Sequence, residues 1–221
     1  MATARHPQES PEYRKVRDEI QAAEVALREQ RERVAELRRS LPRDQVVDDA
    51  VLEEVRDGQR VSLRLSELFD DPAQPLVLMQ FMFGKAQESP CPMCTAWADG
   101  YDGIIPHLAR RANFAVLVAG DVGAFADYAR SRGWHNLRLV SAADSGLKRQ
   151  LGFETEEGGQ LPGVSVFLRE ADGHLVHFFS QSADLGPDGF RGMDLLNPLW
   201  HFLDLVPEGR GDFFPSKTYA G

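Results

Sequence analysis

Apolar and charged positions between residues 11 and 41 alternate with a helical beat. Val16, Ile20, Ala23, Leu27, Val34, Leu37 and Leu41 follow steps of four and three, Gln30 is the one polar member of the stripe, and Arg, Lys, Glu and Asp fill the other faces. Ser10-Pro11 supplies an N-cap and a first helical residue, while Glu24-Arg28 and Glu29-Arg33 are spaced for ion pairs along the surface. The pattern predicts a helix of roughly thirty residues, about 45 Å long, ending before Pro42. Its stripe is narrow and interrupted, short of the three or four clean heptads that would demand a coiled coil. Either the rest of the chain or a second copy would cover it, the latter making a homodimer through this helix.

Beyond Pro42 the pattern changes twice. Residues 42–60 are acidic and irregular and read as a connector, which divides the chain into an arm (1–41), a connector (42–60), a main domain (61–206) and a tail (207–221). In the main domain short β-rich runs alternate with helical ones. Val61–Leu65 reads as a strand leading into Ser66–Phe69, and Leu76–Phe83 as a strand buried on both faces. A helix then runs to about Arg111, loosened by Gly100 and Gly103, and Phe114–Ala119 is a further buried strand. Val122–Arg132 forms a helix closed by Gly133, Leu137–Val140 a strand, and Ser141 with Asp144 caps a helix that stops near Gly152. Val164–Leu168 and Leu175–Ser180 flank the turn Ala171-Asp172-Gly173 as a hairpin, and Asn197-Pro198 opens a last helix through Leu203. Parallel β-α units followed by a hairpin and a terminal helix give an α/β fold, a mixed central sheet flanked by helices with a long N-terminal helical arm.

Composition narrows the function classes. With 43% hydrophobic residues the 221-residue chain can bury an ordinary core, and acids exceed bases by 34 to 25, a net charge of −9 that argues against nucleic acid or an anionic membrane as partner. The N-terminus has no apolar run of signal-peptide type, and no stretch is apolar enough to span a bilayer. These features point to a cytoplasmic protein.

Two cysteines are present, Cys91 and Cys94, and they enclose Pro92 and Met93. A structural disulfide over so short a loop constrains little chain entropy, and two cysteines fall short of a zinc site unless other ligands are recruited. The pair follows a buried strand and the loop Gly84–Pro90 at the opening of a helix. With Cys91 at the N-cap, Pro92 takes the first helical position and Cys94 the third, so unpaired amides and the positive helix end favour a thiolate on Cys91. Cys91 is then the nucleophile and Cys94, one turn inside, the resolving thiol. Half of a zinc site and inert buried cysteines are the alternatives. Trp97 either shields the sulfurs or is an ordinary core tryptophan; Asp99 and Asp102 either assist proton transfer at Cys94 or are solvated helix residues or helix caps. His174 and His177 fall on opposite faces of one strand and His107 about three turns from Cys94, so the histidines form no constellation and no metal or cofactor is expected.

The segments Gln80-Phe81-Met82-Phe83-Gly84, Cys91-Pro92-Met93-Cys94 continuing into Trp97-Ala98-Asp99-Gly100-Tyr101-Asp102-Gly103, Pro106-His107-Leu108, Leu161-Pro162-Gly163-Val164-Ser165-Val166-Phe167, Gly192-Met193-Asp194-Leu195-Leu196, Leu203-Asp204-Leu205 and Pro207-Glu208-Gly209-Arg210 carry a resemblance. Together they resemble the thioredoxin-like family named domain of unknown function 899, whose members are described as predicted dithiol-disulfide oxidoreductases. The resemblance covers most of the chain and implies thiol-disulfide exchange with a protein or low-molecular-weight thiol or disulfide. A peroxide reductase, a thioredoxin-fold binding or adaptor module and a zinc-stabilised structural protein are the other classes. In thioredoxin-like folds a cis-proline heads the strand beside the disulfide and leaves backbone groups free for substrate. Leu161-Pro162-Gly163 stands at that point, so Pro162 is expected cis, the alternative being a trans-proline turn, and Leu161, Pro162 and Gly163 are expected, with Pro92 and Met93, to frame the substrate. Family members often carry a small polar residue where this chain has Met93, and a histidine in place of Gln80.

Overall fold

The computed structural model describes residues 8–185 and 191–219; residues 1–7 of the expected arm and 220–221 of the expected tail lie outside it. Contacts divide the chain at Pro42 into two compact units. The first is helix α1 (Pro11–Arg39), with Ser10 as N-cap, its hydroxyl accepting from the Tyr13 amide at 3.1 Å, and Pro11 at the opening position. Arg38 and Arg39 in its last turn suit the negative helix end, and none of its residues is buried. Arg28 pairs with Glu29 and Glu32, partners other than those the spacing suggested.

The second unit is built on eight strands: β1 (Val46–Val47), β2 (Val51–Arg56), β3 (Gln59–Arg64), β4 (Leu76–Gln80), β5 (Asn113–Val118), β6 (Leu139–Ser141), β7 (Gly163–Arg169) and β8 (Leu175–Ser182). They form one sheet in the order β1-β8-β7-β4-β5-β6-β2-β3. The trio β4-β5-β6 is parallel, β7 runs antiparallel to β4, and β8, antiparallel to β7, returns to the direction of the trio. On β5, Val116 and Val118 pack on one face and Ala115 and Leu117 on the other, so both faces of the central strands are covered.

The acidic stretch 42–60 is not an irregular connector, because it contains β1 and β2. Strand β2 pairs with β3 through an Asp57-Gly58 turn in which both residues have positive φ (52° and 75°), the geometry of a two-residue hairpin. The run reads as polar because Glu54 occupies a core-facing position, 6% exposed. Its burial is made tolerable by Arg138, whose Nε donates to Glu54 at 3.1 Å from across the sheet.

Strand β4 stops at Gln80, although residues 81–83 stay alongside β5, the Phe81 amide donating to the Leu117 carbonyl at 2.9 Å and the Phe83 carbonyl accepting from Ala119 at 3.1 Å. The long helix after the cysteines is two: α2 (Pro92–Asp102) ends at Gly103, and α3 (Ile105–Leu108) adds one turn. Helix α4 (Val122–Arg132) is capped by Asp121 and closed by Gly133 at φ 75°. Ser141 ends β6 instead of capping a helix; after a turn through Ala143 (φ 47°) only one turn, α5 (Leu147–Gln150), forms. A 3-10 segment (Arg191–Leu196) precedes α6 (Pro198–Leu203), whose N-cap Asn197 accepts from Leu199. The segment after α6 folds back: Arg210 bonds Asp194 and Asp204, Phe213 meets the Trp200 ring edge-on at 6.4 Å, and the Lys217 carbonyl accepts from Arg132. Among the described residues no helix is long and apolar enough to cross a membrane.

Candidate redox site

Cys91 takes the N-cap of α2 with extended backbone (φ −62°, ψ 130°), and its carbonyl accepts the first helical hydrogen bond from Thr95 at 3.0 Å. Pro92 stands at the first helical position, where its missing N–H leaves nothing unsatisfied. Cys94 is one turn inside and 3% exposed, whereas Cys91 is half-buried. Both thiols are free, and the two cysteines approach to 3.8 Å. A disulfide needs about 2.05 Å between sulfurs, so closure is a side-chain movement within one helical turn.

The shared environment drives the two acidities apart. Cys91 is lowered to about 6, first by a hydrogen bond from Cys94 and then by the Cys94 and Met93 amides and the charge of Lys217, against burial, which raises it. No amide closes a full capping bond on the sulfur, so these donors act as weak polarising dipoles. Cys94 is pushed well up, by its proton's commitment to Cys91, by burial and by the neighbouring thiolate. The arrangement therefore holds one proton between two sulfurs, with the charge on the more accessible one.

The pair opens into a cavity of about 520 Å³. Met82, Met93, Trp97, Met193, Trp200 and Phe214 give it an apolar wall. Charge at its rim is internally matched: Asp194 binds Arg191 at 2.8 Å and Arg210 at 2.5 Å, and Arg210 also holds Asp204. Trp97 Nε1 and Gln80 Oε1, on residues lining this cavity, are buried with no partner among the described residues. Behind it Gln80 Nε2 donates to Ser165 Oγ (3.1 Å), which bonds Ser180 Oγ (2.8 Å), which bonds His177 Nε2 (2.7 Å).

The cysteines, Met93, Trp97, Pro162 and Gly163 thus line one cavity. Leu161 is 45% exposed beside them in sequence and does not line it. Pro162 corrects the expectation for its peptide bond, because no described peptide is cis. Hydrogen bonds hold it as a continuation of the sheet: the Leu161 amide donates to Phe153 and the Pro162 carbonyl accepts from Ala183, both at 3.0 Å. Those groups are committed internally and are not free for a substrate backbone. Gly163 pairs with Gln80 and Ser182, and a Cβ there would lie 2.2 Å from the Phe153 ring and 2.5 Å from the Gln181 carbonyl. Asp99 is a tie between helices, accepting from Trp134 Nε1 at 2.7 Å and from Arg132 at 2.5 Å, while Asp102 accepts from the amides of residues 135–137. Both carboxylates are engaged by these partners, none of which is Cys94.

Sequence reasoning passed over Lys148, which is fully buried and donates to the Phe81 carbonyl at 2.8 Å. It also missed Trp200 and Phe214 as parts of the wall. No local signal marked Lys148: it stands in a one-turn helix beside Arg149 and Gln150, a polar run that periodicity assigns to the surface.

Reduced Prx3 from Vibrio vulnificus in complex with hydrogen peroxide superposes with a TM-score of 0.50 at 15% identity, covering 71% of this chain and 99% of that one. The mitochondrial 2-Cys peroxiredoxin from Plasmodium falciparum gives 0.49 at 13%, covering 77% and 98%. At 15% identity the likeness to Prx3 is one of fold, and the fold is thioredoxin-like. No curated protein matches the sequence. Residues 3–220 match the family described as bacterial protein of unknown function DUF899, and the chain belongs to that family.

Proposed function

We propose that the protein is a dithiol-disulfide oxidoreductase in which Cys91 attacks and Cys94 resolves. The observation that carries the proposal is the helix-capping Cys91, held acidic by a second thiol 3.8 Å away. In the reaction the Cys91 thiolate forms a bond to one sulfur of a substrate disulfide and the other sulfur leaves as thiolate. Cys94 then attacks Cys91, the second substrate sulfur leaves, and the enzyme closes its own disulfide. Two electrons pass from the dithiol to the substrate, which takes up two protons.

Two features favour this reading over its competitors. The Thr95 hydroxyl, one turn beyond Cys91, donates to the Cys91 carbonyl and bonds Tyr128, so it does not activate a peroxide at the sulfur. Among the described residues no three His, Cys, Asp or Glu side chains cluster as metal ligands. The apolar wall and the matched rim charges suit a partner whose disulfide lies in apolar surroundings, whether a protein or a small molecule. Equilibrating the protein in glutathione buffers and reading the pair by alkylation and mass tests the proposal. One two-electron transition that Cys91→Ser abolishes is the expected result; a pair that stays reduced even in fully oxidised glutathione would overturn it.

A further inference from the structure

Lys148 is fully buried, yet among the described residues its ammonium has no carboxylate within ion-pair distance and bonds one group, the Phe81 carbonyl, at 2.8 Å. A buried charge so poorly matched is costly, and a chain that keeps one usually uses it. Its surroundings point to the use. The Phe81 carbonyl and the Met82 amide belong to one peptide group. The carbonyl end accepts from Lys148, and the amide end faces the Cys94 sulfur. The Met82 carbonyl in turn accepts from the Cys91 amide at 3.1 Å, so this short segment touches the lysine and both cysteines. An ammonium on the oxygen polarises the peptide and makes its N–H a stronger donor to sulfur.

In the resting dithiol, Cys94 has little need of such help, because its proton is shared with Cys91. The need arises once Cys91 is tied up in the mixed disulfide. Cys94 must then become a thiolate while buried; losing the negative partner eases this, but burial still opposes it and, among the described residues, no carboxylate or histidine is hydrogen-bonded to it to take its proton. We infer that Lys148 is the positioning cation of the resolving step, stabilising the Cys94 thiolate through the Phe81–Met82 peptide while leaving the first attack by Cys91 to the hydrogen bond from Cys94 and the helix amides. The assignment rests on the dithiol-disulfide reading above. Lys148 and Cys94 each shift the other toward its charged form, while burial lowers the lysine to about 8 and Glu154 is the other charge that acts on it.

The two steps separate with 5,5′-dithiobis(2-nitrobenzoate). Attack by Cys91 releases one thionitrobenzoate and leaves the other bound as the mixed disulfide; attack by Cys94 releases the second. Stopped-flow absorbance on the full reduced chain would follow both phases in wild type, Lys148→Met and Lys148→Gln. Methionine keeps the stem's length and packing without charge, and glutamine can still donate to the Phe81 carbonyl. The expected result is a second phase slowed about tenfold or more in both variants, the loss of roughly one pKa unit of thiolate stabilisation, with the first phase within about twofold of wild type. A second phase restored by glutamine would show that the hydrogen bond suffices, and equal slowing of both phases, or failure of both variants to fold, would make Lys148 structural; each overturns the inference. A wild type that releases one equivalent and stops would instead refute the dithiol-disulfide reading itself.

Discussion

Replacing Cys94 tests the origin of the Cys91 acidity. In the structure the largest influence on Cys91 is the hydrogen bond from Cys94, with the helix amides and Lys217 contributing less. At about 6, Cys91 is about nine-tenths thiolate at pH 7. Cys94→Ala removes the donor and leaves the helix in place. A hydrogen bond to a charged group contributes about 1.5–3 kcal/mol, which at 1.36 kcal/mol per unit moves the Cys91 midpoint up by about one to two pH units. Cys94→Ser keeps a hydroxyl donor at the same position and should recover half of that shift or more. The assay is the rate of iodoacetamide alkylation of Cys91 between pH 4 and 10, with thiolate absorbance near 240 nm as a check that alkylation reports ionisation. The ordering wild type, serine, alanine is required. If the alanine variant titrates within about 0.3 units of wild type, the helix terminus carries the acidity by itself and the shared proton described above does not exist.

Three further outcomes follow from the same coordinates. Because the Cys91 thiol is depressed from 9.0 to about 6, it stabilises the folded, reduced protein fully above the upper value, and that contribution disappears as pH falls through about 6; urea melts of reduced wild type minus Cys91→Ala should show a gap that opens between these limits, and a flat difference contradicts the shift. Gly163→Ala drives a methyl to 2.2 Å from Phe153 and 2.5 Å from the Gln181 backbone, so a loss of about 1–3 kcal/mol is expected in thermal denaturation, and unchanged stability would mean the strand end can move aside. Asp99→Asn weakens the ties to Arg132 and Trp134, costing about 1–3 kcal/mol of stability with both phases of the thiol reaction intact; a selective tenfold slowing of the second phase would return Asp99 to the role of proton carrier.

What could be read from the chain before its structure divides by the sequence distance over which each feature is decided. The Cys91 N-cap, Pro92 at the first helical position, the Gly133 terminus and the Asn197-Pro198 opening are each settled within one turn of backbone, and each stands where local chemistry puts it. Strand β2 was lost because Glu54 in a core-facing position looks like a solvated acid until Arg138 arrives from 84 residues away. The cis-proline expectation failed for a related reason: the strand entry is held by the Leu161 amide on Phe153 and the Pro162 carbonyl on Ala183, and neither partner adjoins it in sequence. Lys148 was lost in the same way, since its carbonyl partner is 67 residues upstream.

This division has a chemical counterpart. The position of Cys91, the proposed nucleophile, comes from an N-cap and a helix end, devices that any strand-loop-helix segment can supply. On the proposed reading the resolving thiol is the buried Cys94, and its conversion to thiolate would depend on groups from separate parts of the chain: the 81–82 peptide, the lysine of α5, and the wall closed by the segment folded back from Arg210 to Phe214. Variation in those distant elements can therefore retune how fast the mixed disulfide resolves while the motif itself stays unchanged. A relative with the same four motif residues but a neutral side chain at the position of Lys148 should attack disulfides normally and release its second product slowly.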